Sequence, residues 1–522
     1  MKRTLFAGLS AAALSFFPLM SQAATLNIEG GQIAQPSPDA TGIRSFKGIP
    51  FAAPPVGDLR WKAPQPLKPW TGLREVSEWG PRCVQSKRLG ELDPLNKRMD
   101  EDCLYLNVWA PANAKDLPVM VWIHGGSNLN GAASQPEFDA AAWARQGVVA
   151  VSINYRVDVF GFMAHPELTA ESGTQSSGNY ALLDQIAALK WVQKNIAQFG
   201  GNARNVTILG ESAGSINVSL LMASPLTKGL FAKAIGQSGS SLVPSGIFSP
   251  RPLAAGEEHG KRMAQALGAA SVAQMRQASA ADVLAASAKT PTIVGLGVVD
   301  GYVVPEHPAQ LFANGRANDV PLLLGFNADE GSLFAGRTAP PANAAAYEAL
   351  ITAQFKGDAS QALQLYPAGA NGDQIMASFT ALTGDQIISY GTWAWAERAL
   401  KANKSPVYRY FFNRRPPAAP EKSLFPLTGP GVYHFADVLY AFNNLDVRPD
   451  WGWQAADRQL ASTMASYWTN FAKTGNPNGA GLPQWPAFSA QQRQVMQLGA
   501  TIAPMSEPHP ARYEFLDSFY KK

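Results

Sequence analysis

Two cysteines, Cys83 and Cys103, are all that the 522 residues contain. Their number and spacing exclude a usual structural zinc motif, which gathers four Cys or His ligands. Charge is sparse as well. Asp, Glu, Lys and Arg make up 16% of the chain, the formal net charge is +4, and no basic run occurs. Nucleic acid is therefore not an expected partner. No stretch beyond residue 20 is long and apolar enough to cross a bilayer, so no stable membrane anchor is expected. Histidine is scarce too, at six residues, which keeps the search for a catalytic imidazole short.

What is present is a globular composition, 46% hydrophobic, with chain enough for a large core. Met1-Lys2-Arg3, the apolar run Leu5–Met20 and Ser21-Gln22-Ala23 have the order of a secretory signal peptide: charged start, hydrophobic stretch, small-x-small cleavage site. Residues 1–23 are expected to be removed, which lowers the net charge from +4 to +2, and the mature protein is expected to be exported, periplasmic or secreted. In such an oxidising compartment Cys83 and Cys103 most simply pair. The residues between them are charged and polar, as in an exposed surface loop.

From about residue 104 to 240 strand-like and helix-like stretches alternate. Pro118–Ile123 and Val148–Ile153 are continuous apolar runs, the mark of strands buried on both faces. Gly178–Phe199 repeats apolar residues at three and four positions, the period of a helix. Further strands are expected at Pro321–Asn327 and Val407–Phe412, helices over much of 250–300 and 340–405, and a last long helix at Asp457–Lys473. The pattern predicts an α/β fold: a large, mostly parallel central sheet with helices on both faces and inserted helical regions. No repeat or linker interrupts it, so residues 24–522 are expected to form one domain.

The stretch richest in chemistry is Val206-Thr207-Ile208-Leu209-Gly210-Glu211-Ser212-Ala213-Gly214. A β-branched run leads into G-x-S-x-G, and a helical sequence follows. That order sets a serine on a tight strand-to-helix turn with its hydroxyl exposed, beside helix N–H groups that favour developing negative charge. A serine hydroxyl needs a base to take its proton. On folds with such an elbow the acid and then the histidine follow the serine in the chain. That discards His124 and His165. His259 falls on an ordinary amphipathic helix, His307 in a proline turn and His509 in a Pro-rich tail. His434, in a loop after the Val407–Phe412 strand, is the favoured base, and His307 is next. The acid should end a strand between Ser212 and His434. Glu330 fits, with its neighbour Asp329 as rival; Asp-Glu-Gly-Ser is also ordinary turn chemistry. His124-Gly125-Gly126-Ser127, after a buried strand, and the N–H of Ala213 have the character of an oxyanion hole.

The chain resembles the type B carboxylesterases, the family of carboxylesterases and cholinesterases, which have the α/β-hydrolase fold. Phe199-Gly200-Gly201-Asn202-Ala203-Arg204-Asn205 through Gly214 is similar to the family's nucleophile signature, and Glu101-Asp102-Cys103-Leu104-Tyr105-Leu106-Asn107 resembles its second one. Asn154-Tyr155-Arg156, Gly178–Gln185, Gln237-Ser238-Gly239 and Tyr467–Ala472 are weaker matches. The resemblance implies a triad of Ser212, Glu330 and His434, a Cys83–Cys103 disulfide, and oxyanion donors from the N–H groups of Gly126, Ser127 and Ala213. It also exposes departures. Ser127 and Asn128 stand where the family usually has glycine and then an aromatic or aliphatic residue. Asp437 stands three residues after the expected base, where a glutamate is common, and a supporting hydrogen bond from it, with Ser238, is an expectation. The expected activity is hydrolysis of a small-molecule carboxylic ester without metal or organic cofactor. A non-catalytic binding protein and a serine peptidase or amidase are the rival readings. Nothing points to an oligomer, so a monomer is the default.

Overall fold

A computed structural model describes residues 24–86, 90–244, 249–290, 297–336, 339–419 and 428–522. The expected signal peptide, residues 1–23, lies outside them. Ten strands form the main sheet: β1 (Ile43–Pro50), β2 (Tyr105–Pro111), β3 (Leu117–Ile123), β4 (Val149–Ile153), β5 (Gly201–Glu211), β6 (Lys233–Gln237), β7 (Leu322–Asn327), β8 (Val407–Phe412), β9 (Gln494–Leu498) and β10 (Ile502–Ser506). Their spatial order is β10-β9-β8-β7-β6-β5-β3-β4-β2-β1. The seven strands from β9 to β4 are parallel, as the alternating pattern predicts. The edges are not: β1, β2 and β10 run antiparallel to their neighbours. The three-residue link from β9 to β10 is too short for the crossover that a parallel pair requires. At the N-terminus Thr25–Ile28 pairs with Gly31–Ala34 in a small separate sheet, not in the main one.

The alternation of side chains along each strand divides the core in two. Val119, Val121 and Ile123 of β3, with Val206 and Ile208 of β5, face one cluster. This holds helices α1 (Tyr180–Asn195) and α2 (Ala213–Ala223), through residues such as Leu182, Leu189 and Ile216. Met120, Trp122, Leu209, Ile235 and Leu323 face the opposite cluster, which holds helix α3 (Ala455–Thr474) through Leu460, Met464, Trp468 and Phe471. Burying each such side chain contributes about 1.5–3 kcal/mol, so both faces of the sheet are committed and its C-terminal rim is left to carry loops.

Two expectations need correction. The segment between Cys83 and Cys103, which form a disulfide, is not simply an exposed loop. Leu92, Asp93 and Asn96 are buried in it: Asp93 accepts from the Ser134 hydroxyl at 2.5 Å, and Asn96 Nδ2 donates to Ser134 Oγ. The tail around His509 is a helix, Pro510–Tyr520, led by a proline in its first turn, where the fixed φ favours a helix start. Among the described residues no helix is long and apolar enough to cross a membrane.

Candidate active site

β5 ends at Glu211, and the chain turns at Ser212 with φ 55° and ψ −123° before α2 begins at Ala213. A non-glycine residue in that region is strained, and close packing holds it there. A Cβ on Gly210 would stand 2.6 Å from the Ile123 carbonyl oxygen, and one on Gly214 would stand 2.0 Å from the same atom. Only glycine lets β3 and β5 approach the elbow so closely. The Ser212 N–H donates to the Gln237 carbonyl at 2.9 Å, tying the turn to β6.

Glu330 lies just past β7 and is buried. Its Oε2 is 2.5 Å from His434 Nδ1. Its Oε1 accepts from the Ser238 hydroxyl at 2.6 Å and from the Asn327 N–H at 2.7 Å. Three groups thus meet this one carboxylate. Asp329, the rival acid, faces elsewhere: its Oδ2 accepts the Val432 N–H at 2.7 Å and its own N–H donates to the Val432 carbonyl. Asp329 thus ties the loop after β7 to the loop that bears His434.

His434 is buried, its ring 5.1 Å from that of Phe334. Among the described residues its Nε2 has no hydrogen-bond partner, and it shares a cavity with Gly125, Gly126, Ser127 and Ser212. The walls of this cavity are apolar, with Leu92, Phe138, Leu333, Phe334 and Phe435. Sequence reasoning passed over Glu211, which also lines it. Glu211 Oε1 is 3.2 Å from His434 Nε2. Burial pushes the Glu211 carboxyl up to about 8, partly opposed by His434. Burial alone would lower His434, but the carboxylates of Glu211 and Glu330 outweigh it and carry the imidazole up to about 9. The signal for Glu211 was its position, the last residue before Ser212 on a strand that ends at the site.

The turn after β3 runs through Gly126 (φ 100°), Ser127 (φ 55°) and Asn128 (φ 55°). A Cβ on Gly126 would meet the Asn130 carbonyl oxygen at 2.1 Å. Among the described residues no acceptor takes the N–H groups of Gly126, Ser127 or Ala213. Asn128 turns inward, fully buried. It exchanges hydrogen bonds with Asn217 of α2 at 2.9 and 3.1 Å, and it accepts from the Tyr155 hydroxyl. Tyr155 is also stacked on His124, which burial lowers to about 4 and keeps neutral. The supporting hydrogen bonds expected of Asp437 and Ser238 go to different partners. Asp437 accepts from Gln237 and Tyr410 at 2.8 Å and from Asn327 at 3.3 Å, and Ser238 bonds Glu330. His307 caps a helix at Pro308 and meets Ser249 at 3.0 Å, away from the elbow. Among the described residues no three His, Cys, Asp or Glu side chains converge as a metal site.

The strained elbow at Ser212, the Glu330-held His434 on the same cavity and the unengaged N–H groups beside them all sit at one end of the parallel sheet of an α/β-hydrolase fold. The carboxylesterase family model matches residues 22–516. The chain is 36% identical to the fumonisin B1 esterase of Sphingopyxis macrogoltabida, over 88% of this chain and 84% of that one. It is 34% identical to the para-nitrobenzyl esterase of Bacillus subtilis (strain 168), over 91% and 95%, and 34% identical to the cocaine esterase of Homo sapiens, over 88% and 84%. The chain belongs to the carboxylesterase family and is a carboxylic ester hydrolase.

Proposed function

We propose that the enzyme hydrolyses carboxylic esters through an acyl-enzyme formed on Ser212. His434 Nε2 takes the Ser212 proton as Oγ attacks the ester carbonyl. Glu330, on Nδ1, fixes the tautomer and stabilises the imidazolium that forms. The N–H groups of Gly126, Ser127 and Ala213 receive the oxyanion. The C–O bond to the alcohol breaks, and the alcohol leaves with the proton from His434. Water then enters, gives a proton to His434 and attacks the acyl-enzyme. Collapse releases the carboxylic acid and returns the proton to Ser212. The reaction needs no cofactor.

The observation that carries this reading is the Glu330–His434 hydrogen bond at 2.5 Å beside a cavity that Ser212 and His434 share. The relatives are named for fumonisin B1, para-nitrobenzyl and cocaine esters, so acyl and alcohol preference rests with the residues of this chain's own cavity. We further propose a single catalytic domain over residues 24–522, exported to the periplasm or the medium after removal of residues 1–23.

The test is turnover of p-nitrophenyl acetate by the wild type and by Ser212→Ala, His434→Ala and Glu330→Gln, each shown to be folded. Loss of about 10⁴-fold or more in kcat is expected for the first two. Glu330→Gln should lose kcat with little change in KM. A folded Ser212→Ala protein with near wild-type turnover contradicts the assignment. Turnover of the matching p-nitroanilide at a comparable rate would favour an amidase.

A further inference from the structure

The cavity holds a polar group that the reaction does not consume. Ser127, half-buried, lines it, and among the described residues its hydroxyl has no hydrogen-bond partner. The surrounding walls are mostly leucine and phenylalanine, with Gln135 and Glu211 the other polar side chains outside the catalytic pair. A hydroxyl facing an apolar ligand there stays unsatisfied once water leaves, and that is unfavourable. The backbone is also unfavourable for serine: φ is 55°, in the left-handed region, where glycine alone is free of the steric penalty. A side chain held against both penalties at the reacting centre points to a ligand that uses it.

The sheet order says which part of the ester meets this hydroxyl. β5, which presents Ser212, stands between β3 on one side and β6, β7 and β8 on the other. His434 comes from the loop after β8, so the alcohol, which must take the proton from His434, departs toward that side. The acyl group is left toward β3, whose exit turn carries Ser127. The hydroxyl is one Cα–Cβ link from an N–H that we assign to the oxyanion, so it reaches the first carbon beyond the carbonyl and not the end of a chain. Gln135 follows on the same segment. Its Oε1 accepts the Ala132 N–H at 3.1 Å, and among the described residues its Nε2 has no partner.

We infer, building on the serine-esterase reading above, that Ser127 is a specificity-determining residue whose hydroxyl selects acyl groups bearing an oxygen on the carbon next to the ester carbonyl, as in α-hydroxy and α-alkoxy acids. A plain alkyl acyl group covers the half-buried hydroxyl and leaves it unpaired, and a site whose polar group the ligand buries discriminates against ligands that lack the partner.

The experiment compares p-nitrophenyl methoxyacetate with p-nitrophenyl butyrate, two esters of equal chain length in which an oxygen replaces a methylene. The ratio of their kcat/KM values is divided by the ratio of their hydroxide-catalysed rates, which removes intrinsic reactivity. The wild type should favour methoxyacetate by about 10-fold after that correction, and the preference should fall toward one in Ser127→Ala and Ser127→Gly. The glycine variant lacks the left-handed strain and provides a folded comparison if the alanine variant is unstable. A corrected wild-type ratio near one, or a ratio that survives in both variants, overturns the inference. A folded wild type that turns over neither ester overturns the serine-esterase reading itself, and this inference with it.

Discussion

Glu211 is a carboxyl buried to 1% exposure with its Oε1 3.2 Å from the imidazole of His434, the proposed base. Among the described groups that face it electrostatically, His434 is the favourable one, and Asp437 and Glu330 add to the negative side. In the proposed mechanism His434 must be neutral to accept the Ser212 proton. Because its pKa is raised to about 9, the imidazolium predominates below that pH, and kcat/KM should climb with pH until the ring is neutral. Glu211→Gln keeps the shape and removes the charge that does most to raise the ring. The acid limb of kcat/KM against pH should therefore move down by about 1–3 units. An unmoved limb would show that Glu211 does not set the base. At this scale the sequence was legible where a residue's type and chain order restrict it. Ser212 sits in a motif, and six histidines leave few candidates for the base. Glu211 and Asp329 were not legible, because their roles depend on partners more than 100 residues away in the chain, His434 and Val432.

The turn after β3 and the disulfide-closed segment behave as one wall of the site. Asn128 is clamped to α2 and to Tyr155, Gln85 exchanges hydrogen bonds with Gly131 at 2.8 and 2.9 Å, and Leu92 reaches the cavity. Closing a loop of this length contributes on the order of 3 kcal/mol in the chain-entropy model. The double variant Cys83→Ala, Cys103→Ala should lose about that much unfolding free energy in urea. It should also raise KM more than it lowers kcat, since the disulfide holds the wall and not the reacting groups. Unchanged KM would separate the loop from the site. Polar composition read this segment as surface because Asp93, Asn96 and Ser134 satisfy one another inside the protein, which composition cannot register. By contrast β3, β4 and β5 were readable because a strand buried on both faces has an unbroken apolar run. The antiparallel edges were less so, since their pairing follows from link length and not from side-chain pattern.

Across the whole molecule, the two cores fix a parallel sheet whose strand ends deliver Ser127 from β3, Ser212 from β5, Glu330 from β7 and His434 from β8 to one rim. The chemistry is thus assembled from four loops that span more than 300 residues of chain, and both faces of the sheet are spent on holding them in register. The helices between β7 and β8 form a further cluster with the C-terminal helix, through Tyr347, Phe355, Tyr366, Trp393 and Phe515. The most direct test of this assembly is covalent. An aryl phosphonate ester should add one phosphonyl group per chain, the added mass should fall on the peptide carrying Ser212, and ester turnover should vanish in proportion to labelling. Label on another residue, or turnover that persists in fully labelled protein, would contradict the account.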